Sequence, residues 1–265
     1  MTPTFENVLL SSDRAVATIT LNRPDELNPL DKGTVDDLHA CFDMIDKDDT
    51  IELVVLRGAG RAFSAGGDLK KAVKDHQNRE WMSSLGDRLR AILRRFETSD
   101  RLVIAVVEGL CVAGGIEMIL ACDYVLATDK AKFSDGHLNF SLLPGAGGSQ
   151  RMPRLIGALK AKDILLTARF FSGAEAQQMG LVTRCVPATS LNEHLAELID
   201  SLCSKSFSSR AAIKHLVNRG LEGDFLSGLE MEAEYVLDYE TAHPDAHEGL
   251  VAFLEKRKPN FSRGR

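Results

Sequence analysis

The chain carries one local pattern twice, and that repetition most restricts what it can fold into. Leu53-Val54-Val55-Leu56 is an apolar, β-branched run followed by Gly58-Ala59-Gly60 and then Ser64-Ala65-Gly66-Gly67-Asp68-Leu69. Leu102-Val103-Ile104-Ala105-Val106-Val107 is followed by Glu108-Gly109 and then Val112-Ala113-Gly114-Gly115-Ile116-Glu117. Each copy reads as a strand, a glycine turn, and an acidic residue beginning an apolar helix; the second strand is apolar enough to be buried on both faces. Paired glycines at a helix start leave backbone N–H groups unshielded, and the helix dipole there favours negative charge. Either copy alone reads equally as a tight strand–helix turn with a capping acid. Together the two turns can each aim one amide at the same oxygen, with Glu117 beside them as a proton-transfer group.

The rest of the chain fits a repeating strand–turn–helix unit. Val8-Leu9-Leu10 and Ala15–Leu21 read as a hairpin, Thr34–Ile45 as a helix and Tyr124–Thr128 as a strand, with a short strand beginning at Lys132-Phe133. Residues 70–98 are highly charged, with Leu85, Leu89, Leu93 and Phe96 at helical spacing, which predicts a solvated helix face whose first part is open to a lid role. Pro144-Gly145-Ala146-Gly147-Gly148-Ser149-Gln150-Arg151 is a glycine-rich turn entering a helix; Gln150 stands where a dinucleotide fingerprint needs its third glycine. Helices follow over Leu155–Thr167 and Ala174–Met179 and nearly throughout after Leu191, including 206–219, 223–241 and 244–256. The composition shift predicts a core domain over 1–190 and a helical oligomerisation region over 191–265, where Leu191, Leu195, Leu198 and Leu202 form an apolar stripe.

Several function classes are disfavoured. A net charge of −6 argues against nucleic-acid or membrane-surface partners, which call for a basic field. The five cysteines (Cys41, Cys111, Cys122, Cys185, Cys203) are widely spaced with no Cys-x-x-Cys pair, as expected of reduced thiols with no structural zinc. No cationic-then-apolar leader precedes Phe5, and the apolar stretch Leu102–Cys122 carries Glu108 and Glu117, so the expected setting is cytoplasmic, with no membrane span. His39, His76, His194, His215, His243 and His247 fall in charged or helical contexts and read as surface or packing residues, and no cluster has metal-ligand spacing.

The motifs in order resemble the crotonase family, the enoyl-CoA hydratase/isomerase group. They are Leu21-Asn22-Arg23-Pro24 with Leu27-Asn28, Arg61–Leu69, Val106–Asp123, Pro144–Arg151 and Ala252–Arg257. The resemblance implies an α/β fold, a superhelix of repeated ββα units, with a C-terminal helical region that builds homotrimers and usually hexamers as dimers of trimers. It implies an acyl-CoA substrate, coenzyme A entering as part of that substrate, and no tightly bound cofactor. By motif match, the amides of Gly67 and Gly114 form the oxyanion hole, Ala65 and Asp68 belong to the substrate-binding segment, and Phe253 and Lys256 reach a neighbouring subunit's nucleotide pocket.

The family's hydratases use two glutamates on one water. The first matches Glu117; counting back from Pro144 places His137 at the second, and a slip of one or two residues would put Asp135 or Asn139 there. Histidine titrates near pH 6.5 and would ion-pair with Glu117, so the departure bears on the reaction. The expected function is a hydratase-like lyase. Isomerase, acyl-CoA hydrolase and decarboxylase are alternatives that keep the same enolate, and an RNA-binding or scaffold role is the non-catalytic one.

Overall fold

The computed structural model describes residues 5–75 and 77–262, so His76 lies outside the described residues. The chain opens with an antiparallel hairpin, β1 (Val8–Asp13) and β2 (Val16–Leu21), in a register running from Val8↔Leu21 to Asp13↔Val16. Strand alternation buries Ala17, Ile19 and Leu21. α1 (Lys32–Ile45) starts where the Asp31 carboxylate accepts from the Thr34 N–H, two residues earlier than its apolar periodicity suggests, and buries Val35, Leu38, Phe42 and Ile45.

A repeat then begins. β3 (Leu53–Gly58) and β4 (Ala62–Ser64) lead into α2 (Leu69–Asp75), which α3 (Arg79–Thr98) follows. β5 (Leu102–Val107) and β6 (Leu110–Val112) lead into α4 (Gly114–Ile119). β7 (Tyr124–Thr128) and β8 (Lys132–Ser134) lead into a 3-10 turn over His137–Phe140, then α5 (Gly148–Ile156) and α6 (Ala158–Thr167). β9 (Phe171–Ser172), α7 (Gly173–Met179) and β10 (Arg184–Val186) close the core. The first strand of each pair joins a six-stranded sheet, order β1-β2-β3-β5-β7-β10; the second joins a four-stranded sheet, order β4-β6-β8-β9. Successive units pair in parallel, β3 with β5 with β7 and β4 with β6 with β8, which is the superhelix of ββα units. The glycines between paired strands are set by backbone contact: a Cβ on Gly109 would stand 2.2 Å from the Arg61 carbonyl oxygen, and one on Gly58 2.3 Å from that of Ala62.

The larger core cluster lies under α1 and α3, where Phe42 and Phe96 stack with centroids 4.9 Å apart and Ile92 and Leu93 are buried. A smaller cluster, on Val55, Ile104, Val106, Leu126 and Val186, is covered by α8 (Leu191–Cys203). Here the expectation that the leucine stripe is an unpaired face is corrected. Leu191 and Leu195 are buried and Leu198 and Leu202 packed against this sheet, so the leucine stripe is satisfied within the chain. Within the tail, exposed apolar residues sit on α9 (Phe207–Gly220), α10 (Phe225–Ala242) and α11 (Pro244–Leu254), among them Ile213, Val217, Phe225, Leu226 and Leu250. α9 is fastened to the core by buried charge: Arg210 pairs with Glu52, and Lys214 Nζ donates to Asp123 Oδ2 at 2.8 Å and to the Arg101 carbonyl at 2.8 Å.

Two further expectations shift. The helix expected over Leu155–Thr167 is cut at Gly157, whose φ of +83° ends α5 and starts α6. The helix after Asp68 is not apolar: α2 is Leu-Lys-Lys-Ala-Val-Lys-Asp, with Leu69 and Val73 exposed. No helix among the described residues is long and apolar enough to cross a membrane.

Candidate active site

The two Ala-Gly-Gly turns meet. A Cβ built on Gly66 would stand 2.9 Å from the Gly114 nitrogen and 2.8 Å from Ala113 Cβ, and one on Gly114 would stand 3.8 Å from the Gly67 nitrogen. Among the described residues neither the Gly67 nor the Gly114 amide donates a hydrogen bond. Ala113 holds φ 51° and ψ −116°, a conformation costly for a residue with a Cβ, and with its own N–H on the Ser134 carbonyl it turns the chain into α4 at Gly114. The helix therefore begins at the first glycine rather than at Ile116, and Glu117 lies in its first turn.

The first turn is braced from below. Ser64 Oγ donates to the Asn28 carbonyl at 2.8 Å and accepts from the Gly66 N–H, and the Ala65 N–H donates to the Leu27 carbonyl. Buried Asn28 in turn donates to the Ala59 and Ala62 carbonyls. Asp68, read from the motif as a substrate-segment residue, accepts from the Lys71 N–H at the start of α2 and lies 3.7 Å from the Arg23 guanidinium. Arg23 and Lys71 converge on Asp31. Burial alone would raise the Asp31 carboxyl, but the Lys71 ammonium, the Thr34 amide and the Arg23 guanidinium pull it down to about 2.

Glu117 is buried and held asymmetrically. Its Oε1 accepts from the Ala146 N–H at 2.7 Å and the Gly148 N–H at 2.8 Å, so the glycine-rich turn grips one carboxylate oxygen. That turn is itself pinned to α3: Arg90 Nη1 donates to the Gly145 carbonyl at 2.8 Å, and Arg151 donates to the Ala146 carbonyl while pairing with Glu97. The other oxygen, Oε2, faces His137 Nε2 at 3.9 Å. Counting back from Pro144 thus reached a residue that does stand across from Glu117. A water about 2.8 Å from both atoms would subtend an angle of about 90° at its oxygen, which hydrogen bonding accommodates. Burial pushes the Glu117 carboxyl up, and the Gly148 amide, the His137 ring and the Ala146 amide counter only part of that. Burial pulls His137 down, but the hydrogen bond to Asp135, the charge on Asp135 and that on Glu117 outweigh it and leave the ring titrating above its ordinary value.

Phe253 stands in the last turn of α11, which packs on α10, and Lys256 follows two residues past its end, both exposed; among the described residues no hydrogen bond or ion pair joins them to the Glu117 centre. His39 bonds the Arg88 carbonyl, His215 stacks on Tyr235 and His243 on Tyr239, which are packing roles. Two features escape a reading by motif: the strained Ala113 and the paired amides on Glu117. Asp135, the alternative to His137 in the sequence, stands instead behind the His137 ring.

A family model described as enoyl-CoA hydratase/isomerase matches residues 11–264. A probable enoyl-CoA hydratase of Mycobacterium bovis is 35% identical over 98% of this chain and 99% of its own length. The crotonyl-CoA hydratase of Syntrophomonas wolfei is 32% identical over 97% of this chain and 98% of its own. The crystal structure of an enoyl-CoA hydratase from Bacillus anthracis superposes with a TM-score of 0.91 at 32% identity, covering 98% of this chain and all of that one. The chain belongs to the enoyl-CoA hydratase/isomerase family.

Proposed function

We propose that this family member adds water across the double bond of a 2-enoyl-CoA. The observation that carries the reading is the divided carboxylate of Glu117. One oxygen is fixed by two amides and the other faces His137 at 3.9 Å, a separation that a bridging water would span, beside two turns whose amides donate no hydrogen bond among the described residues. The thioester oxygen accepts from the Gly67 and Gly114 N–H groups, so negative charge that develops there as the enolate forms meets preorganised donors. Glu117 takes one proton from the water as its oxygen bonds to C3, and the same carboxyl returns that proton to C2. His137 orients the water and balances the charge on Glu117. The elements of one water are added and nothing else is consumed.

The test is loss of the conjugated-enoyl absorbance of crotonyl-CoA. Wild type is expected to turn over; Glu117→Gln should lose about 10²–10⁴ in kcat, the range of general acid–base catalysis, with CoA affinity nearly unchanged. A wild type that leaves crotonyl-CoA intact but moves the double bond of a 3-enoyl-CoA would replace hydration by isomerisation, which needs Glu117 as a proton shuttle and no water. The exposed apolar residues of α9–α11 support a homotrimer or a dimer of trimers, with Phe253 and Lys256 directed toward a neighbour. Light scattering at micromolar protein should read three or six chains; a stable monomer removes this part of the proposal.

A further inference from the structure

The third member of the Glu117 centre lies behind the histidine. Asp135 follows β8 and is 1% exposed, and its Oδ2 stands 3.2 Å from His137 Nδ1. Gly136 between them has φ +67°, and the His137 N–H returns to the Asp135 carbonyl at 2.8 Å, so a tight turn folds the acid under its own neighbour's ring. Asp135 Oδ1 is buried with no hydrogen-bond partner among the described residues, and the imidazole is the hydrogen-bond partner of Oδ2. A buried carboxylate with a bare oxygen is costly, and an amide or hydroxyl would meet a purely structural need at less expense. What a carboxylate adds is charge beside one ring nitrogen.

We propose that Asp135 is a positioning residue that holds His137 as the Nδ1–H tautomer and so presents Nε2 to Glu117 and to the water between them. A carboxylate accepts hydrogen bonds and cannot donate them, so Nδ1 carries the proton in both the neutral and the charged ring. The neutral ring then has its lone pair on Nε2, and the charged ring donates from Nε2. Either form holds a water against Glu117 Oε2. Without Asp135 the neutral ring is free to place its proton on Nε2, which removes the acceptor facing the water and leaves the imidazolium without its nearer counter-charge.

The charged groups acting on the ring are Asp135 from its own segment and Glu117 from α4. α6, which packs against the 3-10 turn, brings Lys160, Lys162 and Asp163, all solvent-exposed, with Asp163 paired to Arg169. The role in holding water rests on the hydration reading, but the tautomer and its titration do not. The experiment is therefore nitrogen-15 NMR of the imidazoles in substrate-free full-length protein, with the His137 signals identified by their loss in His137→Gln. The expected result is an Nδ1–H neutral form in wild type and, in Asp135→Asn, a titration midpoint lower by about 1–3 pH units, the span produced by a nearby opposite charge. The sign follows from the carboxylate favouring the charged ring, so its removal releases the proton at lower pH. An Nε2–H tautomer in wild type overturns the proposal without need of any variant, and so does an unchanged midpoint in folded Asp135→Asn. Failure of crotonyl-CoA hydration with the Nδ1–H tautomer present would count against the proposed reaction alone.

Discussion

The two Ala-Gly-Gly turns are alike in sequence and unlike in their surroundings. The turn at Val112–Glu117 sits in the core: Gly114, Gly115, Ile116 and Glu117 are all buried, and its helix carries the acid into the site. The turn at Ser64–Leu69 opens outward; a Cβ on Gly67 would meet nothing within 4 Å, and the helix that follows is charged and exposed. Its acid, Asp68, is engaged with Arg23 and Lys71 rather than with the space between the turns. In the proposed reaction one turn supplies a donor and the proton-transfer group from a buried frame, while the other supplies a donor and is held by polar bracing through Ser64 and Asn28. The repeated backbone shape presents two amides, and the buried copy adds a carboxylate that burial pushes up.

The largest effect is expected at Gly114. Gly114→Pro removes the amide and should cost about 10²–10³ in kcat, as the loss of one oxyanion donor does elsewhere. Gly114→Ala keeps the amide and places a Cβ 3.2 Å from the flexible end of Leu30, so it should stay within about tenfold of wild type. Circular dichroism confirms that both fold before their rates are compared; equal rates would remove Gly114 from the reaction. Next comes Gly66, where the turns touch. Alanine there needs φ +84° and drives its Cβ into Ala113 and the Gly114 nitrogen, so Gly66→Ala should destabilise by about 2–4 kcal/mol in urea melts. The smallest effect belongs to Gly67→Ala, one residue along, with open space around its Cβ; its stability should stay within about 0.5 kcal/mol of wild type. If Gly66→Ala and Gly67→Ala melted alike, the packing of one turn on the other would be wrong.

Much of this was legible in the chain because the informative elements are long or spaced by motif. β3, β5 and β7 are continuous apolar runs, and the helices after Leu191 are periodic, so both were readable. β4 and β6 are only three residues each, too short to show alternation, and they emerge from pairing with a neighbouring unit. The leucine stripe of α8 was visible but its partner was not, since periodicity says that a face is covered and not by what. In the site, Glu117 is readable from its glycine turn and His137 from its match to the second glutamate of the family the chain resembles, yet the grip of Ala146 and Gly148 on Glu117 joins residues about thirty apart and no local pattern encodes it.

In the proposed reaction both turns polarise one thioester carbonyl. Isotope-edited infrared spectroscopy of butyryl-CoA carrying a labelled thioester carbonyl reads this directly, because the saturated acyl chain binds without being hydrated. A lower carbonyl stretching frequency is expected on binding to wild type and to Gly114→Ala, and a smaller shift in Gly114→Pro. A bound carbonyl that vibrates as it does in water, or a full shift that survives in Gly114→Pro, would contradict that polarisation.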